Sequence, residues 1–229
     1  MVTKHTTYFN LLDALKEQGC PVCFVIKKNA QKFMDDFLYE SVNDPGIRKQ
    51  IKESVGFCNR HAWQLQKFGD GFGLGIVYED IMRLVLRRLE KAYGSSASLK
   101  AILKQLDKDE QAKKSCIFCK EEKDVEERYI SVFLDNFDDP ELEFAFKNSF
   151  GLCLKHLNLA IKNNKNQKLT NEFIAIEATK LNGLIAEVKE FLRKHDYRFS
   201  KEKFGKEGDS WIRAIEKMIG KEGINQKGA

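Results

Sequence analysis

The sequence is poor in proline, in tryptophan and in uninterrupted apolar stretches. Prolines stand only at 21, 45 and 140, so few points forbid a continuing helix. The Gly/Pro turns that a strongly β-rich chain needs are missing. No run approaches 18 apolar residues. The most apolar stretch, Ile76–Leu89, is broken by Glu79, Asp80, Arg83, Arg87 and Arg88, which argues against a membrane span. The first 19 residues hold no continuous apolar segment of the kind a secretory signal requires. Tyr8, Leu11, Leu12 and Leu15 instead recur at helical spacing. Charge of one sign is also scarce, with 39 Lys and Arg against 34 Asp and Glu. The surplus is local: residues 162–229 carry 15 basic and 10 acidic side chains, and residues 1–161 carry 24 of each. That balance argues against a general nucleic-acid coat and leaves a basic face in the last third. Six cysteines are too few to make a disulfide scaffold the default. The expectation is a soluble, cytoplasmic protein, where paired cysteines more often bind metal or do redox chemistry.

What is present is a core and a repeat. Hydrophobic residues make up 42% of the chain and include 17 Phe, enough to fill a sizeable interior. All six cysteines fall into one arrangement used twice. The first copy reads Cys20-Pro-Val-Cys23, then Gly56-Phe-Cys58-Asn-Arg-His61. The second reads Cys116-Ile-Phe-Cys119, then Gly151-Leu-Cys153-Leu-Lys-His156. Between these motifs Phe37-Leu38 answers Phe133-Leu134, and Asp44-Pro45 answers Asp139-Pro140. The spacing from Cys23 to Cys58 is 35 positions and from Cys119 to Cys153 is 34, so one deletion relates the copies. We read an internal duplication.

Helical patterning repeats as well. Pro21 suits a first helical position, with Cys20 at the cap. Asp44-Pro45-Gly46 reads as a turn. Ile47, Ile51 and Val55 mark a short amphipathic helix that Gly56 ends. A further helix opens at Cys58 and should bury Ala62, Leu65 and Phe68. The second copy repeats this over Cys119–Phe137, Glu141–Phe150 and a helix from about Cys153. Longer amphipathic helices follow each copy. One covers about Ile76–Tyr93, with Ile81, Leu84, Val85 and Leu89 on one face. The other covers about Asn171–His195, with Phe173, Leu181, Leu184, Ile185, Val188 and Leu192. Leu99, Ile102, Leu103 and Leu106 mark a helix before the second CxxC. A last helix near Ser210–Ile219 carries Trp211, Ile215, Met218 and Ile219 on one side. The expected fold is all-α: two tandem helical repeats, 1–94 and 95–229, packed as one body, with Gly94-Ser95-Ser96 as the linker. The second repeat carries a C-terminal helical extension.

Two CxxC…CxxH sets supply two sites of three thiolates and one imidazole. The x2 spacing lets both side chains of a pair converge on one ion, and a helix start favours thiolate through its free N–H groups. Three Cys and one His form a closed structural zinc site. The candidate ligands are Cys20, Cys23, Cys58, His61, Cys116, Cys119, Cys153 and His156. The simpler pairing keeps each site within its copy; a crossed pairing would tie the halves together, and the spacing alone permits both. Arg60 and Lys155, inside the CxxH loops, could offset the residual negative charge of such a site. Two zinc ions are expected, with an iron–sulfur cluster as the alternative, although the spacings do not match ferredoxin runs. No βαβ context supports a thioredoxin role for CPVC, and neither pair reads CxxCH for haem. Four protein ligands leave no open position for a catalytic zinc, so no catalytic residue is assigned and an enzyme is the less favoured class.

Three further segments have plain readings. Gly69–Gly75 lacks the ending of a phosphate loop and reads as a flexible connection. Lys120–Arg128 reads as a solvated helix face. Residues 193–213 read first as an ion-paired connector that docks the last helix through Phe199, Phe204 and Trp211. The functional alternative is an anion or acidic-partner site made of Arg193, His195, Arg198 and Arg213.

Together, CPVC at 20–23, FLYESVNDPG at 37–46, GFCNRHAWQL at 56–65, the second CxxC, GLCLKH, RKHDYRF at 193–199 and GDSWIRAIEKMIG at 208–220 resemble an uncharacterised bacterial cysteine-rich family, a domain of unknown function. The resemblance spans nearly the whole chain. It implies a prokaryotic protein without an established activity and supplies no catalytic residues. The second copy departs by Ile117 in place of Pro21 and by Leu154-Lys155 in place of Asn59-Arg60, and neither change removes a ligand. The reading is a zinc-binding interaction or regulatory module with a protein partner, with nucleic-acid binding through the basic last third as a further alternative.

Overall fold

A computed structural model describes residues 4–94, 98–112 and 115–223. Among the described residues the fold is all-α and no strand forms. The first five helices are α1 Thr6–Lys16, α2 Pro21–Asp36, α3 Pro45–Glu53, α4 Asn59–Gln66 and α5 Gly71–Gly94. The next five are α6 Leu99–Ala112, α7 Ile117–Asp135, α8 Pro140–Asn148, α9 Leu154–Asn163 and α10 Gln167–Lys194. A final helix, α11, covers Ser210–Ile219. The linker expected at 94–96 lies largely outside the described residues.

The element order of α1–α5 recurs in α6–α10, with the same devices at the same places. Asp44 caps α3 by accepting from Ile47 N, and Asp139 caps α8 by accepting from Glu141 N and Leu142 N. Each is followed by proline at the first helical position, which needs no donor there. What reads as an Asp-Pro turn is therefore a helix start. Cys58 and Cys153 are the N-caps of α4 and α9. The glycine two residues before each has positive φ, +96° at Gly56 and +82° at Gly151, a region that side chains with a Cβ disfavour.

The chain divides into two compact units that do not follow the repeats. Among the described residues, one unit holds those up to 27 and from 125 onward, and the other holds 28–124. The divisions fall inside α2, after Lys27, and inside α7, after Asp124. The first unit's core joins Tyr8, Leu11, Leu12 and Leu15 of α1 to Val22 and Ile26, with Val125, Ile130 and Phe133 of α7. Phe173 of α10 closes it, stacked on Phe133 and edge-on to Phe137, with centroids 5.2 and 4.4 Å away. Each such buried side chain contributes roughly 1.5–3 kcal/mol of transfer free energy. The second unit is centred on Phe118, whose ring lies 5.3–5.6 Å from Phe33, Phe37 and Phe57. Met34, Ile51, Leu65 and Val77 complete that interior.

Several expectations change. Gly69–Gly75 is mostly helix: α5 begins at Gly71, because Asp70 accepts from Gly73 N at 2.8 Å and caps it. Phe68 lies past the end of α4 and is exposed. On the long helices, burial reaches Ile81 and Phe173 but not Leu89, Leu181, Ile185 or Leu192. Helix α6 buries no residue, with Leu99, Leu103 and Leu106 exposed. In α11 the burial is the reverse of what amphipathicity suggests. Trp211, Ile215, Met218 and Ile219 face solvent, and Ser210 and Lys217 are the buried residues. No described helix is long and apolar enough to cross a membrane.

Candidate metal centres

The four ends that carry cysteine or histidine meet in two groups. Cys20, Cys23, Cys153 and His156 form the first, and Cys58, His61, Cys116 and Cys119 the second, with ligand atoms within 4.8 Å of one another in each. The pairing is crossed: each CxxC meets the CxxH of the other sequence copy. Each group lies within one compact unit. Pro21 and Ile117 open α2 and α7, so each CxxC straddles a helix start.

Both groups present His Nδ1 to the sulfurs. In the first, Nδ1 of His156 stands 3.2, 3.4 and 3.2 Å from Sγ of Cys20, Cys23 and Cys153. In the second, Nδ1 of His61 stands 3.3, 3.5 and 3.4 Å from Sγ of Cys58, Cys116 and Cys119. The sulfur spacings are 3.9 Å for Cys23–Cys153 and 3.6 Å for Cys119–Cys58. A tetrahedral zinc, with bonds of about 2.3 Å to sulfur and 2.0–2.1 Å to nitrogen, spaces its donors about 3.6 Å (S···N) and about 3.8 Å (S···S). The donor sets therefore have the dimensions of a single tetrahedral ion, and two such ions could be held. None of the six cysteines is joined in a disulfide.

The electrostatics ask for a cation. Thiols of Cys116 and Cys119 hydrogen-bond to Cys58 and hold it far down as thiolate, and Cys20 and Cys23 do the same for Cys153. The donors are pushed the other way: burial raises Cys20, and hydrogen bonds to Cys116 and Cys58 raise Cys119. Burial opposes charge on the imidazoles, yet the neighbouring sulfurs and a glutamate raise His61 to about 10 and His156 to about 11. A divalent ion would balance three thiolates and leave His neutral.

A second layer was not read from the sequence. Glu126 Oε1 accepts from His156 Nε2 at 2.8 Å, and Lys155 Nζ stands 2.5 Å from the same oxygen. Glu122 Oε1 lies 3.1 Å from His61 Nε2, off the line of a good hydrogen bond, and a two-pronged Arg60 guanidinium holds its carboxylate. Partners of this kind fix the tautomer that leaves Nδ1 free for a metal. Arg60 and Lys155 thus answer these carboxylates rather than the sulfurs alone. Burial pushes both glutamates up, but His and Arg or Lys partners outweigh it and their pKa values fall. Lys120–Arg128 is accordingly no fully solvated face, since Glu122 and Glu126 are buried. A signal existed: Phe118, Glu122, Val125, Glu126 and Tyr129 share the helical stripe that faces the interior.

The last helix closes over the first group. Lys217 Nζ donates to Phe150 O at 3.1 Å and pairs with Glu177, which also accepts from Leu152 N at 2.6 Å. This ties α11 to the Gly151–Cys153 turn through its polar side, which is why its apolar side faces out. A Cβ added at Gly220 would stand 3.2 Å from Cys23 Sγ and 3.6 Å from Cys153 Sγ. Only glycine lets the chain pass this close to the sulfurs.

The four residues considered for an anion site are held separately. Arg193 pairs with Glu190 and Glu202, Arg198 with Asp196, and Arg213 with Glu187 and Asp209. His195 bonds Phe191 O through Nδ1 and packs in a three-ring cluster with Phe191 and Phe204, its ring tilted against both. Every guanidinium already has carboxylate partners, and no carboxylate links these four residues into one group.

Fold and site define a class: an all-helical protein with two Cys3His groups, one buried and one partly exposed, each of which could hold a metal ion. The chain belongs to the family of unknown function DUF6062, whose model matches residues 3–225. It is also similar to an uncharacterized 23.9 kDa protein in the xynA 3' region of Caldicellulosiruptor sp. (strain Rt8B.4). The two are 29% identical over 189 residues, covering 82% of this chain and 88% of that protein. No solved structure matches.

Proposed function

We propose that the protein binds two structural zinc ions, one per Cys3His group, and serves as an interaction or regulatory module. The carrying observation is donor spacing. S···N distances of 3.2–3.5 Å and S···S distances of 3.6–3.9 Å fit one tetrahedral ion. An iron–sulfur cluster divides its four ligands over two or four irons and spreads the donors wider than a single ion does, so the spacing favours zinc over iron–sulfur ligation. Four protein ligands per ion leave no open position, which speaks for structure rather than catalysis. The outward apolar side of α11, with Trp211 and Ile215 about half exposed, supports a protein partner. Nucleic-acid binding gains less support, because the arginines of the basic last third are already answered by carboxylates.

Metal analysis of protein purified without oxygen tests the reading. The expected result is two zinc per chain and a colourless solution. A brown protein absorbing near ~400 nm, with iron in place of zinc, would establish the iron alternative.

A further inference from the structure

The two groups differ in how they meet solvent. In the first, Cys20, Cys23, Cys153 and His156 are all buried, and Gly220 lies over two of the sulfurs. In the second, Cys116 and His61 are buried, but Cys58 and Cys119 are only half-buried. Those two sulfurs are neighbours at 3.6 Å and belong to the two half-buried residues of the group. The CxxH cysteine caps a helix in both groups, Cys58 on α4 and Cys153 on α9, so exposure is what separates them. Thiolate character and exposure together decide which cysteine a peroxide attacks.

We propose that Cys58 and Cys119 are a modification site for hydrogen peroxide, through which the second group alone is oxidised and gives up its metal. This rests on the zinc reading above. The Cys58 thiolate attacks one peroxide oxygen. The O–O bond breaks, hydroxide leaves and takes a proton to become water, and Cys58 becomes a sulfenic acid. Cys119 Sγ then attacks Cys58 Sγ. An S–S bond forms, the S–O bond breaks, and the second hydroxide leaves as water with another proton. Two thiolates lose two electrons in all, one peroxide gains them, and two waters result. The metal keeps only Cys116 and His61 of its four ligands and is released. The first group has no exposed sulfur, so it keeps its ion and its unit stays folded.

The test uses the full chain. Zinc is counted first. The protein is then treated with hydrogen peroxide, quenched with catalase, and followed by a colorimetric zinc indicator and by peptide mapping. The expected outcome is release of one zinc per chain, about tenfold or more ahead of any second. Mapping should show a Cys58–Cys119 disulfide, with Cys20, Cys23 and Cys153 still alkylatable. Simultaneous release of both ions, earlier release from the first group, no release, or a different disulfide would overturn the proposal. Fewer than two zinc before treatment would instead defeat the zinc reading beneath it. A second measurement restores thiols with a dithiol reductant and adds zinc: one ion per chain should return, and failure of rebinding would also count against the proposal.

Discussion

The first Cys3His group is sealed and the second is partly exposed, although both are built from the same motif and have nearly the same donor spacing. The difference lies around the ligands. The first unit has α1, whose Tyr8, Leu11, Leu12 and Leu15 are buried, and α11, which brings Gly220 onto the sulfurs. In the second unit α6 takes the place of α1 in the element order, yet it buries nothing, and among the described residues α11 has no counterpart. A ligand set fixes what can be bound, and its cover fixes what can reach it.

The largest effect should come from breaking either group. Metal binding in comparable zinc sites contributes on the order of 10–16 kcal/mol, and loss of one ligand forfeits much of it. Cys153→Ser should cost one zinc and remove hydrogen-exchange protection from residues 4–27 and 125–223. Cys58→Ser should cost the other zinc and deprotect 28–124. Deprotection that followed the sequence repeats instead, 95–229 for Cys153→Ser and 1–94 for Cys58→Ser, would defeat the crossed pairing.

The next effect sharpens the contrast in cover. Lys217 and Glu177 are a buried pair, and removing one partner of such a pair costs about 3–5 kcal/mol. Lys217→Met should lower the thermal midpoint and make the first zinc as peroxide-sensitive as the second. If stability falls while the first zinc stays resistant, α11 does not provide the seal.

Smaller still is the second layer. Glu126→Gln and Glu122→Gln should each weaken zinc at their own group by about 10–100-fold in a chelator competition. The larger loss is expected for Glu126, whose bond to His156 is aligned where that of Glu122 to His61 is not. Equal losses would show that alignment is immaterial here.

How much of this was legible follows from what each signal encodes. Helices and their starts were readable because Pro21, Asp44, Asp139 and the apolar spacing act locally. The eight candidate ligands were readable because CxxC and CxxH bring donors together within one turn. Their pairing was not, because a duplicated motif offers two combinations with identical local chemistry, and only long-range packing selects one. Glu122 and Glu126 were hidden in a charged segment that resembles a solvated face. The amphipathicity of α11 was visible, but its orientation depends on Lys217 reaching Phe150 and Glu177, far away in sequence.

The smallest effect compares the two Asp-Pro caps. Asp44 accepts from Ile47 N alone among its assigned bonds, whereas Asp139 also accepts from Tyr8 Oη and pairs with Lys4. The Lys4 ammonium and the Tyr8 hydroxyl, with the Glu141 and Leu142 N–H groups, hold the Asp139 carboxyl down to about 2. A carboxyl depressed in the folded state stabilises it above the ordinary aspartate value. That contribution is lost as pH falls through the ordinary value toward the depressed one. Asp139→Asn keeps a capping oxygen but removes the charge. It should lower the thermal midpoint of the first unit by a few degrees near neutral pH, and the gap from the parent protein should narrow between pH 4 and pH 2. The measurement belongs on protein whose zinc content is checked at each pH, because protonation of the thiolates releases metal in the same direction. The Lys4→Met variant keeps the Asp139 carboxyl but removes its ammonium partner, and its gap from the parent should narrow over the same range. If it does not, the acid response belongs to the Cys3His groups and the Lys4–Tyr8–Asp139 contact adds nothing to the first unit.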